Sequence, residues 1–313
     1  MKYKKIFITG GTGFVGSNLV RKLLKEGAEV FALARKNSDF SNLEDVLGGI
    51  RICYGSLSDA AGLENIFRKI RPQVIYHLAA SNIRSGVTAP LEEVIKTNFT
   101  GTANLINASL DIGYSAFINT GSFLEYGSKR STVKESDLTN PPEIYSITKL
   151  AGTLYAQAVG RSKQKPIVTF RPFTPYGPYI QKGRLIHEVI ARALRNETIE
   201  LSNPKVTKDF IFVEDLCDLY IEASERAVEK KGEIFNLGSG RAVRFDELVG
   251  ATEAILGAPL KINWGAFNEV AYDSGIWEAD MTKTFANFNW RPRYSLPDGL
   301  AKTIEHFKRS NLA

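Results

Sequence analysis

The feature that most constrains the fold is a regular alternation of short apolar, β-branched runs with longer segments of helical periodicity. The strand-like runs KIFITGG, EVFALAR and QVIYHLAA are separated by the helical segments NLVRKLLKEG and LENIFRKIRP. The alternation continues through NFTGTANLINASLDIG, SAFINTGS and PIVTFRPF. Strands that alternate with helices in this way form a parallel sheet with helices on both faces. The sequence therefore predicts an α/β fold built on a doubly wound parallel sheet.

The alternation breaks after Arg171, which indicates a second domain. Pro and Gly cluster in RPFTPYGPYIQKGR, followed by the helical LIHEVIARALRN, the strand-like DFIFV and a helix from about Glu214. We predict a larger domain of residues 1–170 plus about 207–230, which binds a dinucleotide. A smaller, partly interleaved α/β C-terminal domain of residues 171–206 and 231–313 would bind the substrate. A cleft between two such domains is the usual place for a ligand.

Composition excludes several classes of protein. Cys53 and Cys217 are the two cysteines among 313 residues, and they have no paired spacing. We therefore expect neither a disulfide framework nor a cysteine metal site, and the absence of clustered ligands predicts no bound metal. Glycines interrupt the apolar run of MKYKKIFITGG, and nowhere do eighteen apolar residues run together. We expect a cytoplasmic protein with no membrane partner.

The net charge of +6 does not identify a nucleic-acid partner. The 40 Lys and Arg residues are scattered among 34 Asp and Glu residues, without a basic block. We therefore predict no nucleic-acid binding. A mild positive field does suit an anionic small molecule.

Three glycines at three-residue spacing carry the first chemical signal. Gly10, Gly13 and Gly16 recur in ITGGTGFVGSNLV, between a strand and a helix. Glycine allows a tight turn, close approach of the backbone to a pyrophosphate, and close packing of the helix on the sheet. The turn predicts dinucleotide binding by Gly10, Thr12, Gly13, Phe14, Val15 and Gly16.

The end of the second strand bears on which dinucleotide binds. Enzymes selective for NAD usually place an acidic residue there for the ribose hydroxyls, whereas this chain has Ala34 followed by Arg35. A guanidinium matches the geometry of a 2′-phosphate. The sequence therefore favours NADP(H), with NAD as the alternative.

Tyr145 and Lys149 carry the second chemical signal, in YSITK. Four residues apart on a helix, their side chains share one face. A phenol of pKa about 10 is a poor acid or base at neutral pH, and a neighbouring ammonium stabilises the phenolate. The run SAFINTGS ends with Ser122, whose hydroxyl could bind a substrate oxygen while Tyr145 exchanges the proton.

These motifs together resemble a known family. In order, GGTGFVG, HLAA, TGS, YSITK, RPFTPYGP, KDFIFVEDL and FNLGSG resemble the extended short-chain dehydrogenases, within them the NAD-dependent epimerase/dehydratase family. The resemblance implies a Rossmann fold, a nucleotide-sugar substrate, and a homodimer formed through helices around Leu105 and Leu154. It also implies that Tyr145 is the acid/base, Lys149 its partner and ribose ligand, and Ser122 the hydroxyl donor. We further assign to the cofactor Leu57, Leu78, Ala79 and Ala80.

Departures from the family pattern bear on the reaction. In the 4,6-dehydratases an Asp-Glu pair directly follows the catalytic hydroxyl residue, whereas Phe123 and Leu124 follow Ser122 here. This argues against dehydration, although Glu125 lies one position further on. Two reactions remain: an epimerase that retains NAD, and a 4-keto reductase that consumes NADPH. Arg35 favours the reductase, and LEYG with RPFTPYGP resembles 4-keto reductases of the abequose and paratose synthase type.

We assign six residues to the substrate. They are Ser122, Glu125, Tyr145, Thr174, His187 and Lys208. Lys208 stands where related epimerases often carry Arg, so it can hold a phosphate as a point charge but not as a bidentate fork. A dinucleotide-binding protein without turnover is the competing hypothesis.

Overall fold

The computed structural model describes residues 2–81, 90–266 and 276–310. The strands are β1 (Lys5–Thr9), β2 (Glu29–Ala34), β3 (Ile50–Tyr54), β4 (Val74–His77), β5 (Ala116–Thr120), β6 (Ile167–Pro172), β7 (Thr174–Tyr176), β8 (Ile199–Leu201), β9 (Thr207–Phe212), β10 (Glu233–Leu237), β11 (Ala242–Arg244) and β12 (Ile262–Trp264). The helices are α1 (Phe14–Lys25), α2 (Ala60–Ile70), α3 (Leu91–Ile95), α4 (Gly101–Ser109), α5 (Ile144–Ser162), α6 (Leu185–Leu194), α7 (Val213–Arg226), α8 (Phe245–Leu256), α9 (Thr282–Asn287) and α10 (Leu296–Arg309).

The chain divides into two compact units. The first contains residues up to Glu125, then Pro141–Arg171 and Cys217–Phe235, and the second contains the rest. This division differs from the predicted segments, which placed all of residues 207–230 in the first domain. The difference arises because β9 pairs with β7 and β11 in a separate three-stranded sheet.

The first unit is organised by a seven-stranded sheet of order β10-β6-β5-β4-β1-β2-β3. The paired strands β3-β2-β1-β4-β5-β6 run parallel, and the direction of strand addition reverses at β1. Because parallel crossovers are right-handed, this reversal puts helices on both faces. The predicted doubly wound Rossmann sheet is confirmed.

Alternate residues of the strands pack into two different apolar layers. On one face Phe7, Ile75 and Phe117 pack with Phe67 of α2 and Leu105 of α4. The neighbouring side chain Tyr76 stacks on Tyr220 of α7, with ring centroids 6.4 Å apart. A sheet buried on both faces explains why its strands read as continuous apolar runs.

The second unit combines short strands with four helices. Strands β7 and β9 are parallel and β11 is antiparallel to β9, while β8 and β12 form a separate parallel pair. Helices α6, α8, α9 and α10 belong to this unit. Gly299 of α10 lies so close to β7 and β9 that a Cβ there would meet the Phe212 ring at 2.8 Å. This helix therefore approaches the small sheet at a distance that only glycine permits.

Candidate active site

The turn between β1 and α1 has the geometry that its glycines predict. Gly10 has φ +71°, and a Cβ there would lie 2.6 Å from the backbone nitrogen of Ala79, in the loop after β4. A Cβ on Gly16 would collide with the Gly10 carbonyl group. A side chain at either position would therefore collide with the backbone at the carboxyl end of β1 and displace the turn.

The beginning of α1 is suited to an anion. Gly13 caps the helix and supplies no side-chain hydrogen bond to it. The first turn contains no acidic residue, whereas Lys22 and Lys25 lie in the last turn. Free N–H groups and the positive end of the helix dipole together bind phosphate. The glycine cradle and this helix end fit a dinucleotide pyrophosphate.

The loop after β4 is fixed against β1 by hydrogen bonds. Leu78 N donates to the Thr9 carbonyl at 3.1 Å, and Ala79 N donates to Thr9 Oγ1 at 3.3 Å. His77 lies buried between the hydroxyls of Thr9 and Thr102, at 2.7 and 2.8 Å. Burial, reinforced by the Lys149 charge, lowers the pKa of His77 to about 3. His77 is therefore neutral and positions the loop.

The other predicted cofactor residues differ in exposure. Phe14 and Leu57 are buried, Thr12 and Val15 are half-buried, and Ala80 is exposed. Arg35 directly follows β2, and its side chain is 66% exposed. Its Nη1 lies 3.3 Å from Glu93 Oε1 of α3. The guanidinium is therefore accessible at the end of the second strand.

Strand β5 and helix α5 bring Lys149 close to the strand end that leads to Ser122. Helix α5 begins directly behind Pro141, Pro142 and Glu143, and Ser146 Oγ accepts from Glu143 N at 3.2 Å. Lys149 is buried, and its Nζ donates to the carbonyl oxygen of Thr120. Ser122, two residues after Thr120, is buried as well. Burial lowers the pKa of Lys149 to about 8, and the negative charge of Glu125 opposes this shift.

Tyr145 lies in the first turn of α5, one turn before Lys149. Its side chain is half-buried. Spacing of four residues on a helix places the Tyr145 and Lys149 side chains on the same face. The structure therefore brings Lys149 to the end of β5 and places Tyr145 directly N-terminal to it.

Glu125 is held by protein groups on both carboxylate oxygens. Its Oε2 accepts from Arg171 Nε at 2.7 Å, and its Oε1 accepts from Ser122 N at 2.8 Å and Thr153 Oγ1 at 2.9 Å. The side chain is completely buried. These contacts favour a supporting role over the substrate contact that the sequence predicted.

Two supporting residues were missed by sequence reasoning. Arg171 is a charged residue in a buried β-strand, which was the available signal for a buried ion pair. Asn98 is buried in the π-helical turn before α4, and its side chain bonds to the Ser81 backbone and to Thr148 Oγ1. The available sequence signal was a polar amide side chain within an otherwise helical segment.

The second unit contains the remaining predicted substrate residues. Thr174 opens β7 and is half-buried, as is Lys208 of β9. Lys208 Nζ lies 5.8 Å from the centroid of the Trp277 ring. His187 of α6 bonds through Nδ1 to Glu188 at 3.2 Å and packs on Phe307. These contacts position Lys208 and His187, and a role of all three side chains in substrate binding stays a prediction.

Fold and cradle together define an α/β oxidoreductase of the dinucleotide-binding type. Residues 6–238 match the family described as NAD dependent epimerase/dehydratase family. The chain therefore belongs to the NAD-dependent epimerase/dehydratase family and is an enzyme, as predicted.

Relatives of known name are similar along nearly the whole chain. A UDP-N-acetyl-alpha-D-glucosaminuronate decarboxylase of Bacillus cytotoxicus is 29% identical, covering 97% of this chain and 98% of the relative. A UDP-glucose 4-epimerase of Mycolicibacterium smegmatis is 27% identical, covering 98% and 99%. The crystal structure of UDP-glucuronic acid 4-epimerase from Bacillus cereus, in complex with UDP-glucuronic acid and NAD, is 25% identical with a TM-score of 0.86, covering 98% and 99%.

Two features are absent from the part of the chain that the structure describes. No helix there is both long and apolar enough to cross a membrane. No group of three or more His, Cys, Asp or Glu side chains there is arranged to hold a metal ion.

Proposed function

We propose that the enzyme is an NADP(H)-dependent reductase of the C4 keto group of a nucleotide-linked sugar. The observation that carries the proposal is the position of the Lys149 ammonium. It donates to the Thr120 carbonyl oxygen at the end of β5, two residues before Ser122, and Lys149 lies one turn after Tyr145 on α5. In this role Ser122 donates its hydroxyl to the reacting oxygen, and Tyr145 gives that oxygen its proton. Lys149 stabilises the phenolate that remains.

The cofactor site supports redox chemistry at this position. Gly10, Gly13, Gly16 and the free N–H groups of α1 would hold the pyrophosphate of the dinucleotide. A bound nicotinamide dinucleotide supplies the hydride that the side chains themselves cannot supply. Lys149 would also contact the nicotinamide ribose.

Arg35 supports the preference for NADP(H). The guanidinium follows β2, where its exposed side chain could pair with a 2′-phosphate after leaving Glu93. No carboxylate occupies the position directly after Ala34. The family's crystal structures with NAD keep NAD as the alternative cofactor.

A 4-epimerase with tightly bound NAD is the second candidate function. It is favoured by the epimerases among the relatives and neighbouring structures, which are similar over almost their full length. The same Tyr145 and Lys149 would then remove a proton before returning it. Reductase and epimerase differ in whether the dinucleotide leaves after each turnover.

The homodimer and the compartment are part of this proposal. On the surface of α3 and α5, Leu91, Ile95, Ile147 and Leu154 are exposed apolar side chains, which supports pairing of these helices. The helix around Leu105 is the other predicted interface helix, and Leu105 itself is fully buried in the core of the first unit. Cys53 and Cys217 form no disulfide with each other, which fits the reducing cytoplasm of this proposal.

The first test identifies the dinucleotide and then the reaction. The purified protein is denatured, any released dinucleotide is identified, and cofactor-free protein is titrated with NADPH and NADH. We expect exchangeable NADPH binding that weakens in Arg35→Ala and not in Arg51→Ala, a matched arginine that also pairs with a glutamate. Retained NAD, together with interconversion of UDP-glucose and UDP-galactose, would establish the epimerase instead.

The second test addresses catalysis directly. With a CDP-linked 4-keto-3,6-dideoxyhexose and NADPH, we expect Tyr145→Phe to lower kcat about 10²- to 10⁴-fold while NADPH binding survives. Tyr155→Phe on the same helix is the control, since its hydroxyl bonds to Asn107. Dinucleotide binding with no turnover in the wild type, and no difference between it and Tyr145→Phe, would favour the protein that binds a dinucleotide without turnover.

A further inference from the structure

A buried polar cluster lies directly behind the backbone of Ser122. It consists of Glu125, Arg171 and Thr153, each of which is less than 9% exposed. Gly121 makes room for it, because a Cβ at that position would lie 2.6 Å from Glu125 Oε1 and 3.1 Å from the Phe170 carbonyl oxygen. The local chain is therefore shaped around the carboxylate.

Stability alone does not account for a charge pair at this depth. The Arg171 and Glu125 side chains are 3% and 0% exposed, so both ions have lost their hydration. Apolar residues of similar volume usually give equal or greater stability than a desolvated ion pair. A pair retained here therefore suggests a task that its charge and hydrogen bonds perform.

We propose that Glu125 is a positioning residue of the active site. Its carboxylate, anchored by Arg171, fixes the Ser122 backbone through the bond from Ser122 N and keeps a negative charge near the Lys149 ammonium. The inference rests on the proposed roles of Ser122 and Lys149. It assigns Glu125 no contact with substrate.

The charges around Lys149 determine what Glu125 can do. Helix α5 contributes Tyr145, β4 contributes the neutral His77, and β6 contributes Arg171, which is already paired with Glu125. Burial drives the pKa of Lys149 down to about 8, and Glu125 is the charge that raises it. Without that charge, Lys149 would lose its proton at lower pH, and with it the ability to stabilise a phenolate.

Two double variants separate charge from position. Glu125→Gln with Arg171→Met keeps an acceptor oxygen for Ser122 N but removes both charges. Glu125→Leu with Arg171→Met removes the acceptor as well. Neither variant leaves Glu125 or Arg171 buried without the other, so both are expected to fold. Phe67→Leu, in the core of the same unit, is the control for general loss of packing.

Three measurements are made on each variant: the pH profile of kcat, NADPH affinity, and hydrogen exchange of the Ser122 amide. In the Gln variant we expect the alkaline limb of kcat to move to lower pH, with Ser122 exchange unchanged. In the Leu variant we expect faster exchange and a kcat lowered on the order of tenfold, since small displacements of catalytic groups are costly. NADPH affinity should stay within about twofold. Phe67→Leu should change neither the pH profile of kcat nor the exchange rate of the Ser122 amide.

Wild-type pH profiles, kcat and amide exchange in both doubles would overturn the proposal, provided that Tyr145→Phe still abolishes turnover. If Tyr145→Phe turns over normally, the proposed function fails instead. The Ser122 exchange rate then still decides whether Glu125 fixes that backbone, because this measurement needs no substrate.

Discussion

Glu125 in the first unit and Asp209 in the second are both completely buried, yet their partners differ in kind. Glu125 in the first unit is paired with the Arg171 guanidinium. Asp209 in the second unit accepts only from N–H and O–H groups in the described part of the chain, namely Ser239 N and Oγ, Gly240 N and Ala279 N, at 2.6 to 3.1 Å. Burial outweighs these donors and raises the pKa of Asp209 to about 6.

The comparison teaches that holding a carboxylate in place and fixing its charge are separate tasks. Oriented dipoles locate the oxygens of Asp209 but leave the group able to titrate near neutral pH. A guanidinium locates the oxygens of Glu125 and also supplies a permanent opposite charge. A catalytic site that needs a constant field would require the second solution.

The largest expected effect comes from breaking the ion pair on one side. Arg171→Met leaves Glu125 buried without a counter-charge and should lower the free energy of unfolding by about 3–5 kcal/mol. Urea unfolding monitored by circular dichroism measures this loss. Arg51→Met, which removes an exposed pair with Glu29, should cost at most about 1 kcal/mol. Equal losses in the two variants would mean that the buried ion pair contributes no more to stability than the exposed one.

The next effect is a pH dependence of stability that Asp209 contributes. The pKa of Asp209 is raised in the folded state from 3.8 to about 6, so the native protein binds more protons between these values. Its contribution to stability is complete below pH 3.8 and is lost as pH rises through 6. The slope is at most about 1.4 kcal/mol per pH unit. Unfolding curves from pH 4 to 7 should show this component in the wild type and not in Asp209→Asn.

Asp209→Asn should itself destabilise the second unit. An amide keeps one acceptor oxygen but turns an NH₂ group toward donors such as Gly240 N and Ala279 N. Leaving such donors unsatisfied costs about 1–3 kcal/mol. Thermal unfolding at pH 7 measures this loss, and a variant as stable as the wild type would mean that the loops rearrange freely.

The smallest effect is expected from trimming one hydrogen bond of the ion pair. Thr153→Val keeps the shape of the side chain and removes the hydroxyl that donates to Glu125 Oε1. Because Arg171 and Ser122 still hold the carboxylate, the cost should be about 1 kcal/mol. A loss as large as that of Arg171→Met would show that Thr153, and not the guanidinium, secures Glu125.

Sequence reasoning succeeded where the signal is local. The alternation of runs predicted the sheet, the glycine spacing predicted the turn at Gly10 and Gly16, and the spacing of four predicted the shared helix face of Tyr145 and Lys149. All these features depend on residues within one or two neighbouring elements.

Sequence reasoning failed where residues distant in the chain meet. Glu125 and Arg171 are 46 positions apart, and nothing in either segment specifies the other. The sequence of the apolar helix around Leu105 does not show which of its faces packs on the sheet, and Leu105 lies on the face that does. The edge strand β10 follows β9, a strand of another sheet, in the sequence. Its own residues therefore do not indicate that it pairs with β6.

The position of β10 in the chain has a consequence for synthesis. The glycine turn is complete once α1 has formed, yet the unit that contains it includes Cys217–Phe235. At roughly 5–20 residues per second, the ribosome needs on the order of ten to forty seconds to deliver those residues after α1. β6 ends at residue 172 and β10 at residue 237, so for about three to thirteen seconds of that time β6 is an uncovered sheet edge that can pair with other chains and aggregate.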